Sequence, residues 1–143
     1  MKLSDITRKI VEKEIAVAGV KTVVRVLNAA ETAAIRENLP RPVPPPKPDG
    51  KGGVEPDFGD AGYLRESARY QNRFAMVEAL AGLGWETASG KRFSGGRDAG
   101  MDAAWMMEAE KESKGALADE EIAEVVKAQD ELGEELIRGA AKN

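Results

Sequence analysis

Along this chain, stretches that alternate β-branched and polar residues give way to apolar residues at helical spacing, and the breaks between them fall on Gly and Pro. Ser4 is placed to cap a short helix near residues 5–13, with Leu3, Ile6 and Ile10 on one side. Ile15-Ala16-Val17 and residues 20–26 are rich in β-branched side chains around Ala18-Gly19, which predicts a hairpin. In its longer arm Val20, Thr22, Val24 and Val26 alternate with Lys21, Val23, Arg25 and Leu27. Such a hairpin is marginal alone, so it must pack on helices or pair with another chain, and Val20, Val24 and Val26 are candidates for a self-association edge.

Asn28 followed by Glu31 is a capping pair for a helix over residues 29–38 that Pro40 stops. Pro40, Pro42, Pro44, Pro45, Pro46 and Pro48 lead into Asp49-Gly50-Lys51-Gly52-Gly53, a run that predicts no helix and no ladder, extended at first and then flexible. From about Asp60 the spacing is helical again. Tyr63, Tyr70, Phe74 and Val77 form one stripe, widened by Met76, Leu80 and Leu83, and Gly82 and Gly84 end it. After the Gly-rich stretch 84–100 come a helix from Met101 to about Lys114, with Ala104, Trp105 and Glu108 on one face, and a last helix that Asp119 caps. Ile122, Val125, Val126, Gln129, Leu132, Leu136 and Ile137 make the apolar stripe of that helix, and its other face is acidic. The expected fold is mainly α with a small N-terminal β-hairpin (α+β), its helices packed around one modest core with a Pro/Gly-rich connector. It divides into 1–39, a linker at 40–59, and a helical region over 60–143 with the Gly-rich loop at 84–100.

A length of 143 residues suits one domain with flexible parts. No apolar run reaches the length of a membrane span, and the first thirty residues lack the apolar core of a secretory signal, so the expected location is the cytoplasm. The chain has no Cys and no His, which removes thiolate nucleophiles, disulfides, His general bases and the usual zinc ligands. No catalytic, cofactor-binding or metal-binding residue is expected, and no cofactor. The net charge of -4 conceals an asymmetry: residues 1–97 hold 16 Lys and Arg against 12 Asp and Glu, whereas residues 98–143 hold 5 against 13.

Candidate chemistry is thin. Residues 84–92 approach a phosphate-binding loop, but five residues separate the glycines and Arg92 follows Lys91 where a hydroxyl is required. Ser94-Gly95-Gly96-Arg97-Asp98 can present amides and a guanidinium to an anion at a helix start. Arg65, Arg69 and Arg73 recur every four residues beside Tyr70, yet Glu66 and the acidic total argue against a nucleic-acid partner. Glu120, Glu121, Glu124, Glu131, Glu134 and Glu135 read as a solvated face, not as buried general acids. The spacings Pro42 to Pro45 and Pro45 to Pro48 match PxxP ligands, but a stiff spacer is the preferred reading.

The order of elements resembles the tail assembly chaperones of long-tailed bacteriophages. The likeness runs through residues 14–85: a Lys/Thr/Val-rich second hairpin arm, Leu27-Asn28-Ala29-Ala30-Glu31 opening a short helix that ends Asn38-Leu39-Pro40, a proline-rich connector, and a long helix opened by Asp60 to Tyr63 and closed by Ala79-Leu80-Ala81-Gly82-Leu83-Gly84. It is one of layout, without an invariant motif. It implies a non-enzymatic protein that coats the long apolar tape measure protein in the host cytoplasm and yields as tail tube subunits polymerise, so that the tape measure protein and the tail tube protein are its partners. Amphipathic helices, a mobile connector and repulsive charge suit that task. Tyr63, Tyr70, Phe74 and Val77, together with Ile122, Val126 and Leu136, are the expected partner-binding residues; self-association is also expected, and membrane or nucleic acid is not. The alternatives are a structural virion protein at a head-tail joint or baseplate, and a small phage-encoded regulator of a host protein.

Overall fold

A computed structural model of the protein describes residues 11–141. Most of the helix expected near 5–13 lies outside the described residues; of the remainder, Val11 is helical, whereas Glu12 and Lys13 belong to a strand. Strands β1 (Glu12–Val17) and β2 (Val20–Arg25) pair antiparallel, with Val17 opposite Val20, Ile15 opposite Thr22 and Lys13 opposite Val24. Ala18 (φ 52°) and Gly19 (φ 76°) take the left-handed pair of conformations whose twist matches a two-residue hairpin. Opposed residues share a face, so Ile15, Val17, Thr22 and Val24 point one way, toward the helices, while Glu12, Glu14 and Lys21 face water.

Helix α1 (Ala29–Asn38) starts at the expected capping box. Asn28 Oδ1 accepts from the Glu31 N–H at 2.9 Å, and Glu31 Oε1 accepts from the Asn28 N–H at 3.1 Å. The same carboxylate receives two hydrogen bonds from the Arg25 guanidinium, at 2.8 and 2.5 Å, which ties the end of β2 to the first turn of α1.

The connector is more ordered than its composition predicts, and the expectation of no ladder is corrected. Strands β3 (Pro46–Pro48) and β4 (Val54–Pro56) form a second antiparallel hairpin. The Asp57 N–H donates to Pro45 O at 2.7 Å and the Asp49 N–H to Gly53 O at 3.2 Å, which sets the parity of the ladder. Pro46, Pro48 and Pro56 therefore occupy the positions whose N–H would point out of the pairing, where proline removes no bond. Asp49 Oδ1 closes the tip by accepting from the Lys51 and Gly53 amides. The second PxxP spacing thus runs into a strand.

Helix α2 (Ala61–Gly82) is capped by Asp60, whose carboxylate accepts from the Tyr63 N–H at 2.9 Å. It ends in a Schellman motif, with the Gly84 N–H on Ala81 O and the Trp85 N–H on Leu80 O, and Gly84 at φ 68° supplies the left-handed residue. Helix α3 (Ala99–Ala116) begins one residue after its cap, Asp98. In α4 (Asp119–Ala141) the expected cap Asp119 is instead the first helical residue, and Glu121 Oε1 accepts the Ala118 N–H at 2.9 Å.

The molecule is mainly α with a small N-terminal hairpin, and its core is built in two parts on either side of α2. Val77, Leu80 and Ala81 join Ile35, Leu39, Trp105, Met106 and Ala109, with Trp105 Nε1 donating to Trp85 O at 2.8 Å. Ala79 joins Val17, Val24, Val125, Ala128 and Leu132. Leu117 packs against both. The two parts meet where α2, α4 and β2 cross. Gln129 Nε2 donates to Glu78 O at 2.9 Å and to Arg25 O at 3.2 Å, passing through the notch left by Gly82.

A Cβ on Gly82 would collide with Gln129 and stand 2.6 Å from the Arg25 carbonyl oxygen. Replacing glycine by alanine inside a helix ordinarily adds roughly 0.5–1 kcal/mol of stability. Here the sign reverses, because the carbonyl is backbone and has little room to retreat: Gly82→Ala lowers the free energy of unfolding by about 1–3 kcal/mol, measured by urea denaturation.

Candidate functional site

Most of the polar groups that looked available in the sequence are spent inside the fold. The Gly-rich loop lies on α3. Asp102, fully buried, accepts from the Ser94 N–H at 2.6 Å and the Gly96 N–H at 2.9 Å, so the amides that could be offered to an external anion hold a carboxylate of their own chain. Glu112 accepts from the Ala88 N–H and from Trp85 Nε1. Lys91 Nζ, the lysine of the failed phosphate loop, reaches Glu108 Oε1 at 2.6 Å, and Ser89 Oγ donates to the same carboxylate. The Lys91 ammonium and the Ser89 and Thr87 hydroxyls hold the Glu108 carboxyl down to about 2.

The arginine stripe is also divided. Arg73 Nε donates to both oxygens of Glu110, at 3.0 and 2.9 Å, which joins α2 to α3, while Arg65 and Arg69 stay exposed. Two expected contact residues are corrected outright. Val77 on α2 and Val24 on β2 are packed in the core, because the faces that carry them lie against other elements of the same chain. Val26 is half-buried in the second cluster, and of the proposed self-association edge Val20 remains open. Tyr70 and Phe74 pack against the first cluster with ring centroids 6.1 Å apart and Arg36 over the Phe74 ring. The Tyr70 hydroxyl is buried with no hydrogen-bond partner among the described residues. Tyr63 is half-buried and packs edge-on against Phe58, 62% exposed, at the foot of the second hairpin.

What the fold leaves open is a groove between α2 and α4. Ala75 and Met76 from α2 and Ile122, Ala123 and Val126 from α4 line a depression of about 920 Å3. A second, of about 440 Å3, continues it past Val126 and Gly133 to Ile137, sharing Ala75, Val126, Asp130 and Glu134 with the first. The stripe on α4 explains the opening. Val125, Ala128 and Leu132 turn inward, while Ile122, Val126 and Ile137 fall to one side where Ala75 and Met76 are the apolar residues that α2 presents, beside Asn72, Arg73 and Glu78. Ile137 is 72% exposed. The structure thus brings Ile122 and Val126 together in one surface, leaves Leu136 half-buried outside the lining, and keeps Tyr63, Tyr70 and Phe74 elsewhere on α2. Met76 and Ile137 were legible as members of their stripes; Ala75 and Gly133 were not, because a small residue marks a groove only once its opposite helix is known.

Two carboxyls near the hairpin and groove are perturbed in opposite directions. The Arg25 hydrogen bonds hold Glu31 below the usual glutamate range, against the effect of partial burial. Burial pushes Glu78 up, with Asp130 adding to the shift and Arg36 opposing it. Among the described residues no helix is long and apolar enough to cross a membrane. No family model matches this sequence, and no curated protein or solved structure matches it significantly.

Two outcomes follow for stability. Glu31 contributes above the ordinary glutamate pKa and loses that contribution as pH falls through its lowered value, so Glu31→Gln destabilises near neutral pH and the gap to the parent narrows as the pH falls through that lowered value. Ionised Glu78 is disfavoured in the folded state, so Glu78→Gln stabilises near neutral pH, with the gap closing as pH falls through the raised value; urea titrations across pH read both. For the loop, Asp102→Ala removes an acceptor shared by two amides and costs about 3 kcal/mol. Amide hydrogen exchange at Ser94 and Gly96 then accelerates while that of the α2 core, around Leu80, keeps its ranking.

Proposed function

We propose that the protein is a non-catalytic tail assembly chaperone of a long-tailed phage, working in the cytoplasm of the bacterial host and holding the tape measure protein until tail tube subunits take its place. The observation that carries this reading is the groove between α2 and α4, an apolar floor on two amphipathic helices that nothing in the chain's described residues covers. From Asp119 to Ile137 it follows α4 for roughly 27 Å, the length of about five turns of a partner helix at 1.5 Å per residue. An amphipathic helix laid in such a groove is a recurrent mode of protein recognition, and it needs apolar floor and length, not catalytic groups.

The remaining features support the same reading. The Gly-rich loop and the buried carboxylate Asp102 serve the fold, so the polar groups of that loop have structural partners. A chain that holds an aggregation-prone partner also needs a surface that discourages indiscriminate association, and the acidic faces of α4 supply one. The exposed Val20 at the tip of the first hairpin and the open strand edges remain the site for self-association under this reading.

Co-expression with a phage tape measure protein yields a soluble complex containing several copies of this chain, read by pull-down and sizing. Ile122→Ser with Val126→Ser weakens that capture by tenfold or more, given about 1.5–3 kcal/mol for each large apolar side chain fully buried. A protein that forms no such complex but is retained in purified particles is a structural virion component, and the chaperone reading is then wrong.

A further inference from the structure

The carboxylates of α4 are not distributed evenly around the groove. Asp119, Asp130 and Glu134 line it from α4 and Glu78 lines it from α2. Positions 119, 130 and 134 are separated by three turns and then one, so they recur on one side of the helix, alongside Ile122, Val126 and Ile137. Among the described residues none of these four carboxylates forms an ion pair. Other charges in the lining are already committed. Arg73 is held by Glu110, and Glu131 is held by Lys13 at 2.9 Å. Lys127 is the basic group left in the lining, and Arg36, outside it, acts on Glu78.

We propose that the groove is selective for an amphipathic helix whose apolar stripe is bordered by Lys and Arg. This rests on the groove being the binding surface, and it adds the chemistry of the partner. A helix laid on Met76, Ile122 and Val126 brings its flanking side chains against Asp119 on one end and Glu78, Asp130 and Glu134 on the other. A border of Glu or Asp would stack like charges along a desolvating contact, whereas Lys and Arg would supply the counter-charges the rim lacks. The perturbed state of Glu78 agrees with this: burial, opposed in part by Arg36 and reinforced by Asp130, disfavours its charge, and a further cation seated beside it reduces that cost. Small side chains at Ala75, Ala123 and Gly133 leave room for the aliphatic stems of such residues to lie along the floor.

Two synthetic helices of about 18 residues, the span of the groove, test the proposal: both carry the same leucine stripe, one bordered by Lys and the other by Glu. Fluorescence anisotropy with the full chain should show the Lys helix binding at least about tenfold more tightly at low salt, the difference shrinking near 0.5 M salt. Asp130→Lys with Glu134→Lys reverses the preference. Glu120→Lys with Glu135→Lys, the same change in net charge at exposed positions outside the lining, does not. Equal affinity for the two helices, both lost in the Ile122→Ser, Val126→Ser variant, overturns the charge selectivity while leaving the groove as the binding surface. Binding of neither overturns both. If the Lys helix binds only once Lys2, Arg8 and Lys9 of the full chain are changed to Glu, the groove belongs to the protein's own first residues and the proposal fails.

Discussion

Three elements that share no local sequence meet at one amide. Gln129 on α4 donates to the Glu78 carbonyl on α2 and to the Arg25 carbonyl at the end of β2, and the missing side chain of Gly82 is what lets it reach both. The Arg25 side chain turns the other way, to Glu31, so the same residue also anchors α1. Move this crossing and α4 no longer lies with Val125, Ala128 and Leu132 against the hairpin. The groove would go with it, because its two walls are the stretches of α2 and α4 on the outer side of that contact.

Around this junction the fold consumes its polar chemistry. Asp102 fills the amide cradle of the Gly-rich loop, Glu108 and Glu112 hold the loop to α3, and Glu110 takes Arg73. Each contact turns a feature that suggests a ligand in the sequence into an internal brace. The exposed surface keeps an apolar groove with acidic borders, and a second hairpin that pairs with itself, with Val54 on it and Phe58 at its foot exposed.

Charge asymmetry acquires a location in this arrangement. The excess of acid over residues 98–143 is a property of composition, and by itself it describes a solvated tail. Folding sorts it. Glu108, Glu110, Glu112, Glu121 and Glu131 are bound to partners within the chain, whereas Asp119, Asp130 and Glu134 are set along the apolar floor with no ion pair among the described residues. Selection of a basic helix follows from that sorting and not from the total.

The amino-acid sequence by itself determined the local elements. The Asn28/Glu31 box, the Asp60 and Asp98 caps, the Ala18-Gly19 turn and the Gly84 stop each act within a few residues, so the chain carries their whole cause in one window. The apolar stripes of α2 and α4 were legible for the same reason. Tertiary structure alone decided which members of a stripe face inward. Val24 and Val77 are core and Ile122 and Val126 border a groove, although periodicity treats all four alike, because burial is set by what lies opposite, and in this fold the opposite residue is often fifty or more positions away. It also decided that prolines at 46, 48 and 56 fit a ladder, since which N–H a ladder needs depends on the register of the partner strand and not on composition.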